Sequence, residues 1–310
     1  MAAKPRVAIF GPNPLLSITV EALSAEGGDD IHVHAAGQGV WVARMAAELG
    51  AEPVLCGFLG GETGRVIRGL LEELPIELRL VETAEPSGAY IHDRRSGERV
   101  PVAQAAAAAP SRHEIDDLFS LTCATAIEAD ALVVCGPFPG EALPLEIYGS
   151  LVTDVRANGT PVLVDLSSPR LDSALEGKPD LVKINDWELA AFVYGPVDTP
   201  ERMRAATDKL IEKGAGAAII TRAGEPALAV RDGRAWEIVP PRFERGSREG
   251  CGDSMMGALG AAVAGGRDWE ESLRIGAAAG AANFLRHGLG TGARAVIEEL
   301  IPQVKLRELE

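Results

Sequence analysis

Gly250-Cys251-Gly252-Asp253-Ser254-Met255-Met256-Gly257-Ala258 is a glycine-flanked turn running into an alanine-rich helical pattern, with an aspartate at the helix mouth. Glycines let backbone N–H groups approach an anion closely, and the first turn of a helix adds unpaired donors and a positive dipole end. Charge developing on a transferred phosphoryl group could be stabilised there. Asp253 beside such a hole could take the proton from a substrate hydroxyl as its oxygen attacks phosphorus. The plainer reading is a helix start in which Asp253 or Ser254 caps free amides. The stretch alone leaves the two balanced.

Upstream, short apolar runs alternate with helical patterns. Val7-Ala8-Ile9-Phe10, Val54-Leu55-Cys56-Gly57, Ala131-Leu132-Val133-Val134-Cys135, Val162-Leu163-Val164-Asp165, Leu181-Val182-Lys183-Ile184 and Ala217-Ala218-Ile219-Ile220-Thr221 read as strands. Helical stretches at 40–49, 64–74, 115–126, 145–157 and 201–213 separate them. Continuous apolar strands spaced by helices predict an α/β fold with a parallel sheet covered on both faces. Two segments, about 15–35 and 87–103, break this rhythm. In the second, Tyr90-Ile91-His92-Asp93 and Glu98-Arg99-Val100 flank a Ser96-Gly97 turn, which predicts antiparallel strands of a lid or interface sheet.

The 310 residues, 46% of them hydrophobic, suffice for one large α/β domain spanning 1–310. A net charge of -15 argues against a nucleic-acid or anionic-membrane surface, so any phosphate must be met locally. No uninterrupted apolar run approaches the length of a membrane span, and Met1 to Pro5 lack the apolar stretch of an export signal. Cys56, Cys123, Cys135 and Cys251 are scattered, without a zinc or redox spacing, and read as reduced thiols of a cytoplasmic protein. The three-glycine dinucleotide fingerprint is absent. Gly177-Lys178 is followed by Pro179 rather than Ser or Thr, which excludes a Walker-type loop.

Four segments in order resemble the ribokinase or PfkB carbohydrate kinases, most closely the branch of 1-phosphofructokinase and tagatose-6-phosphate kinase. Asn13-Pro14-Leu15-Leu16 resembles the opening strand, and Ala36 to Arg44 with Gly57 to Gly64 the first sugar-binding signature. Pro179 to Leu189 resembles the Asn-x-x-Glu region, and Gly250 to Ser254 the second signature. The resemblance implies a ribokinase-like three-layer α/β/α sandwich with a small β lid, which in many relatives also joins two copies into a homodimer. It implies an ATP-dependent kinase acting on a small-molecule alcohol, a sugar or sugar phosphate.

Its site follows residue by residue. Asp253 is the base, and Gly250, Cys251 and Gly252 form the anion hole. Lys183, Asn185, Glu188, Thr221, Gly224 and Asn283 belong to the ATP side, with Asn185 and Glu188 helping to hold hydrated Mg2+. Asn185 and Glu188 also have the spacing of a capping box, and both roles can hold together. Ala223 and Pro226 stand where the family has a glycine pair, so Gly224 is shifted by one. Alone, Gly224-Glu225-Pro226 is an ordinary turn.

Asn13, Ser17, Gly37, Gln38, Gly39, Trp41 and His92 fall on the acceptor side. Here Ser17, Gln38 and Trp41 replace the family's aspartate, lysine and asparagine, which implies a less cationic, more apolar pocket in which Trp41 offers a stacking face or serves as plain core. His32 and His34 alternate on one lid strand, either as a metal pair or as exposed strand positions. Two rivals stay open: a same-fold kinase for a nucleoside or other non-sugar alcohol, and a non-catalytic nucleotide-binding regulator.

Overall fold

The computed structural model of the chain describes residues 3–23, 27–136, 143–286 and 290–309. Pro137 and His287 lie outside them. Fourteen strands are found among the described residues: β1 (Arg6–Phe10), β2 (Leu15–Ala22), β3 (Asp29–Ala36), β4 (Glu52–Gly60), β5 (Glu77–Thr83), β6 (Ala89–Asp93) and β7 (Val100–Ala105), then β8 (Ala131–Cys135), β9 (Val162–Asp165), β10 (Leu181–Asn185), β11 (Ala217–Arg222), β12 (Glu225–Arg231), β13 (Arg234–Val239) and β14 (Lys305–Leu309).

Ten strands form one sheet in the order β14-β13-β12-β11-β10-β9-β8-β1-β4-β5. From β11 to β5 every pairing is parallel, as the continuous apolar runs predict. Alternate residues feed two cores. Val7 and Ile9 of β1 enter one with the helices Gln38–Glu48, Gly61–Glu72, Cys251–Ala264 and Trp269–Phe284, while Ala8 and Phe10 enter the other with Arg112–Ile127 and Glu146–Ala157. Burial on both faces is what removes the polar-apolar alternation from these strands. The antiparallel edge β12-β13-β14 was not foreseen in the sequence.

β1 is the switch point. The chain passes from it to β4 and β5 on one side, then returns to β8 and β9 on the other, which opens a crevice beyond the carboxyl ends of the strands. Helix Gln38–Glu48 starts at that crevice, and the Oε1 of Gln38 accepts the N–H of Gly136, just past β8, at 3.0 Å.

The two rhythm-breaking segments form a separate four-stranded sheet, β3-β2-β6-β7, in which β2 and β6 pair in parallel. Register sorts its side chains by face. His34, Ser17, Tyr90 and Gln104 share one cross-strand row, and His32, Thr19 and His92 the next. The opposite face carries Val33, Ile18, Ile91 and Ala103 in one row. Among the described residues no helix is long and apolar enough to cross a membrane.

Candidate active site

Asp253 lies in the first turn of helix Cys251–Ala264, whose N-cap Gly250 adopts the left-handed conformation at φ 74°. A side chain there would be strained; glycine is not. The turn presents the N–H groups of Gly250, Gly252 and Asp253 without any hydrogen-bond acceptor among the described residues. That of Cys251 makes a long contact, 3.4 Å, to the carbonyl of Arg248. Three free donors at a helix mouth form an anion hole. Capping does not account for Asp253, because no side chain caps this helix.

A cleft of about 580 Å³ opens in front of that turn. Gln38, Lys183, Asn185 and Glu188 line it, together with Thr221 and Gly224 and, opposite them, Cys251, Gly252 and Asp253. Four segments distant in sequence therefore meet in one cleft. Asp165, which sequence reading passed over, joins them. It ends β9, is 6% exposed, and its Oδ2 lies 2.5 Å from the Nζ of Lys183 on β10. An acid closing a buried strand was the available signal. The ammonium in turn sits against Gly252, where a Cβ would come within 2.9 Å of it.

At the buried end of the cleft acids outnumber bases. Asp165, Glu188 and Asp253 share the cleft with one buried cation, Lys183. Burial above all, then Asp165, raises Asp253 to about 7, against the pull of Lys183 and of the Gln38 amide. Glu188 is raised by burial first and by Asp165, while the Asn185 N–H opposes. Burial lowers Lys183, but Asp165 and Asp253 outweigh it and hold the ammonium above its ordinary range. Three acids around one buried ammonium, in a cleft that Arg222, Arg242 and Arg248 also line, make an environment in which phosphates and a divalent cation can both be met.

Asn185 and Glu188 do form a capping box. The Asn185 oxygen accepts the Glu188 N–H and Glu188 Oε2 accepts the Asn185 N–H, both at 2.9 Å. The second carboxylate oxygen of Glu188 remains for other work. Among the described residues no three acidic, histidine or cysteine side chains converge as a direct metal cage, so a cation here would keep much of its water.

Other residues lie elsewhere. Helix Trp269–Phe284 does line the cleft through Gly280, Ala281 and Phe284, but Asn283 is fully buried behind it. Its amide nitrogen donates to the Glu249 carbonyl at 2.7 Å and its oxygen accepts the Thr291 N–H at 3.1 Å, so it braces the anion loop. Trp41 packs, partly buried, with Leu15, Ala36 and Tyr90 at the root of the lid, outside the cleft lining. Gly37 is the N-cap of helix Gln38–Glu48, and Gly39 packs against the backbone of Gly11. Asn13 lines a separate small recess with Ser87.

Ser17, Tyr90 and His92 occupy the polar lid face, Ser17 being 6% and Tyr90 5% exposed. The Tyr90 hydroxyl and His92 Nδ1 are buried without a partner. Burial, then Arg99, lowers His92, with Glu249 opposing. Arg99 stacks over the Tyr90 ring and bonds Glu249 at 2.8 Å, which ties the lid to the residue preceding Gly250. His32 and His34 stack at 6.0 Å; burial and then Arg44 depress His34, and that neighbouring cation disfavours a metal there.

The profile of the family described as "pfkB family carbohydrate kinase" matches residues 16–295. The chain is 30% identical over 259 residues, 81% of its length and 82% of the relative's, to the ATP-dependent 6-phosphofructokinase isozyme 2 of Escherichia coli (strain K12). It is 26% identical to the 1-phosphofructokinase of Bacillus subtilis (strain 168), over 88% of each chain. The crystal structure of phosphofructokinase-2 from Escherichia coli in complex with potassium superposes with a TM-score of 0.84 at 26% identity, covering 97% of this chain and 99% of that one.

Proposed function

Since the chain belongs to the pfkB family of carbohydrate kinases, we propose that Asp253 is the base of an ATP-dependent phosphoryl transfer to a hydroxyl of a sugar or sugar phosphate. The observation that carries this reading is the Asp253 carboxylate beside three unpaired backbone N–H groups on the wall of a large cleft. The carboxylate takes the proton of the acceptor hydroxyl, whose oxygen attacks the γ-phosphorus. The bond to the bridging oxygen of ADP breaks, and charge on the moving phosphoryl group is met by the N–H groups of Gly250, Gly252 and Asp253.

ATP occupies the cleft along Thr221, Gly224 and the apolar wall of helix Trp269–Phe284, and Lys183 faces its phosphates from below Gly252. Glu188, fixed by its capping box with Asn185, would hold a hydrated Mg2+ that neutralises the phosphates. The acceptor lies under the polar lid face, where Ser17, the orphaned Tyr90 hydroxyl and His92 Nδ1 suit sugar hydroxyls and Arg99 suits a phosphate. The chain works as one kinase unit of residues 1–310. Its apolar lid face, on which Ile31 is 63% and Val33 40% exposed, is covered by the lid of a second copy. Four unpaired cysteines suit the cytoplasm.

The test is an ADP-release assay with ATP and magnesium against fructose 6-phosphate, fructose 1-phosphate, tagatose 6-phosphate, unphosphorylated hexoses and nucleosides. Turnover with a sugar or sugar phosphate supports the reading. Turnover with nucleosides alone, or nucleotide binding without turnover, contradicts it.

A further inference from the structure

We propose that Arg222 and Arg248 form a clamp for the phosphates of the nucleotide that are not transferred. This inference rests on the placing of the nucleotide given above. Arg222 ends β11 and Arg248 lies two residues before Gly250, yet both line the one cleft. Their meeting point is the turn between β11 and β12. A Cβ built on Gly224, in that turn, would lie 3.7 Å from Nη2 of Arg248, and Arg222 is the residue from which the turn departs. Arg248 therefore reaches from the entry of the anion loop to the turn that Arg222 opens.

Neither guanidinium is spoken for. Among the described residues no carboxylate lies within ion-pair distance of Arg222 or Arg248, and the Nε of Arg222 is buried without a hydrogen-bond partner. Glu225, the register partner of Arg222, pairs instead with Arg242 at 3.9 Å. Arginine carries five N–H donors and no acceptor and keeps its charge throughout the working pH range, so a sheltered donor left unpaired is a cost that only a bound acceptor removes. Phosphate oxygens suit the guanidinium fork best.

Position says which phosphates these are. The free N–H groups of Gly250, Gly252 and Asp253 meet the moving phosphoryl group, and Lys183 beneath them is already bonded to Asp165. Two residues of chain span at most about 7 Å, so the backbone of Arg248 adjoins that hole while its guanidinium is carried to Gly224. A triphosphate with its terminal group at the hole lays its inner phosphates along that path. There Arg222 and Arg248 supply the positive charge that Asp165, Glu188 and Asp253 take away at the buried end.

Calorimetric titration with ADP, inorganic tripolyphosphate and adenosine, in the presence of magnesium, reads the clamp without turnover. Arg222→Gln and Arg248→Gln should each weaken ADP binding about tenfold or more, the worth of a charge-assisted hydrogen bond. Adenosine, which has no phosphate, should bind the wild type and both variants alike. Tripolyphosphate should bind the wild type and fail on the double variant, whose affinity for ADP should also depend less on salt. Arg→Lys at either position keeps the charge without the planar fork and should recover part of the loss; it serves where a Gln variant does not fold, as thermal unfolding reports. In steady state the KM for ATP should rise with kcat little changed, because the contact is made equally before and during transfer. ADP bound equally by the wild type and both Gln variants overturns the clamp alone, as does an equal loss of adenosine binding or a fall in kcat at constant KM. A wild type that binds no ADP overturns the nucleotide site and the clamp together. Failure of the base shows separately, as turnover retained by Asp253→Asn.

Discussion

Lys183 and Asp165 reach across neighbouring parallel strands to make a buried ion pair, Nζ to Oδ2 at 2.5 Å, directly beneath the anion loop. Removing one partner strands the other. Lys183→Met should destabilise the fold by about 3–5 kcal/mol, because an uncompensated carboxylate stays buried, while the Lys183→Met, Asp165→Leu double variant should recover much of that loss. Denaturant unfolding of the single and double variants measures both. Equal stability of the wild type and Lys183→Met would deny the pair its structural role.

Glu188→Gln keeps a side chain able to accept the Asn185 N–H, so the helix Asp186–Phe192 should survive. What it loses is charge. The magnesium concentration giving half-maximal turnover should rise severalfold, with little change in the unfolding midpoint. An unchanged magnesium dependence would remove Glu188 from the metal's surroundings.

The exposed apolar face of the lid should hold two copies together. Ile31 and Val33, 63% and 40% exposed, are the side chains to change. Sedimentation should find a dimer for the wild type and a monomer for Ile31→Asp with Val33→Asp. A wild type that remains monomeric at high concentration contradicts the proposed lid contact.

Asp253 must be ionised to accept a proton, and its carboxyl is raised to about 7. The kcat/KM of the free enzyme should therefore fall on the acid side of a limb near that pH. Stability follows the opposite direction. A raised acid costs the folded state nothing below the ordinary carboxylate range, and the penalty grows as pH rises through the folded value. Asp253→Asn removes it, so the variant's gain in Tm over the wild type should be larger at pH 8 than at pH 5. A gain that does not grow with pH would mean the carboxyl is not raised.

The sequence made some of this legible and hid the rest for physical reasons. The parallel strands were readable because burial on both faces removes alternation, as in Ala131 to Cys135. The hairpin edge escaped because Glu225–Arg231 opens on Glu-Pro after a glycine, which reads as a turn, and Lys305–Leu309 is short and charged. Asp165 was visible as the end of a strand, but its partner lies 18 residues on, and only sheet register brings them together. Asn283 was assigned to the ATP side by the family resemblance alone. Which side of its helix meets the cleft depends on packing against the loop at Glu249, and that loop claims its amide.

Asp253→Asn tests the central claim most directly, measured as kcat with the best acceptor alongside the affinity for an ATP analogue. The account predicts a fall in kcat of about 10²–10⁴-fold with nucleotide affinity and folding retained. Turnover close to that of the wild type would contradict it.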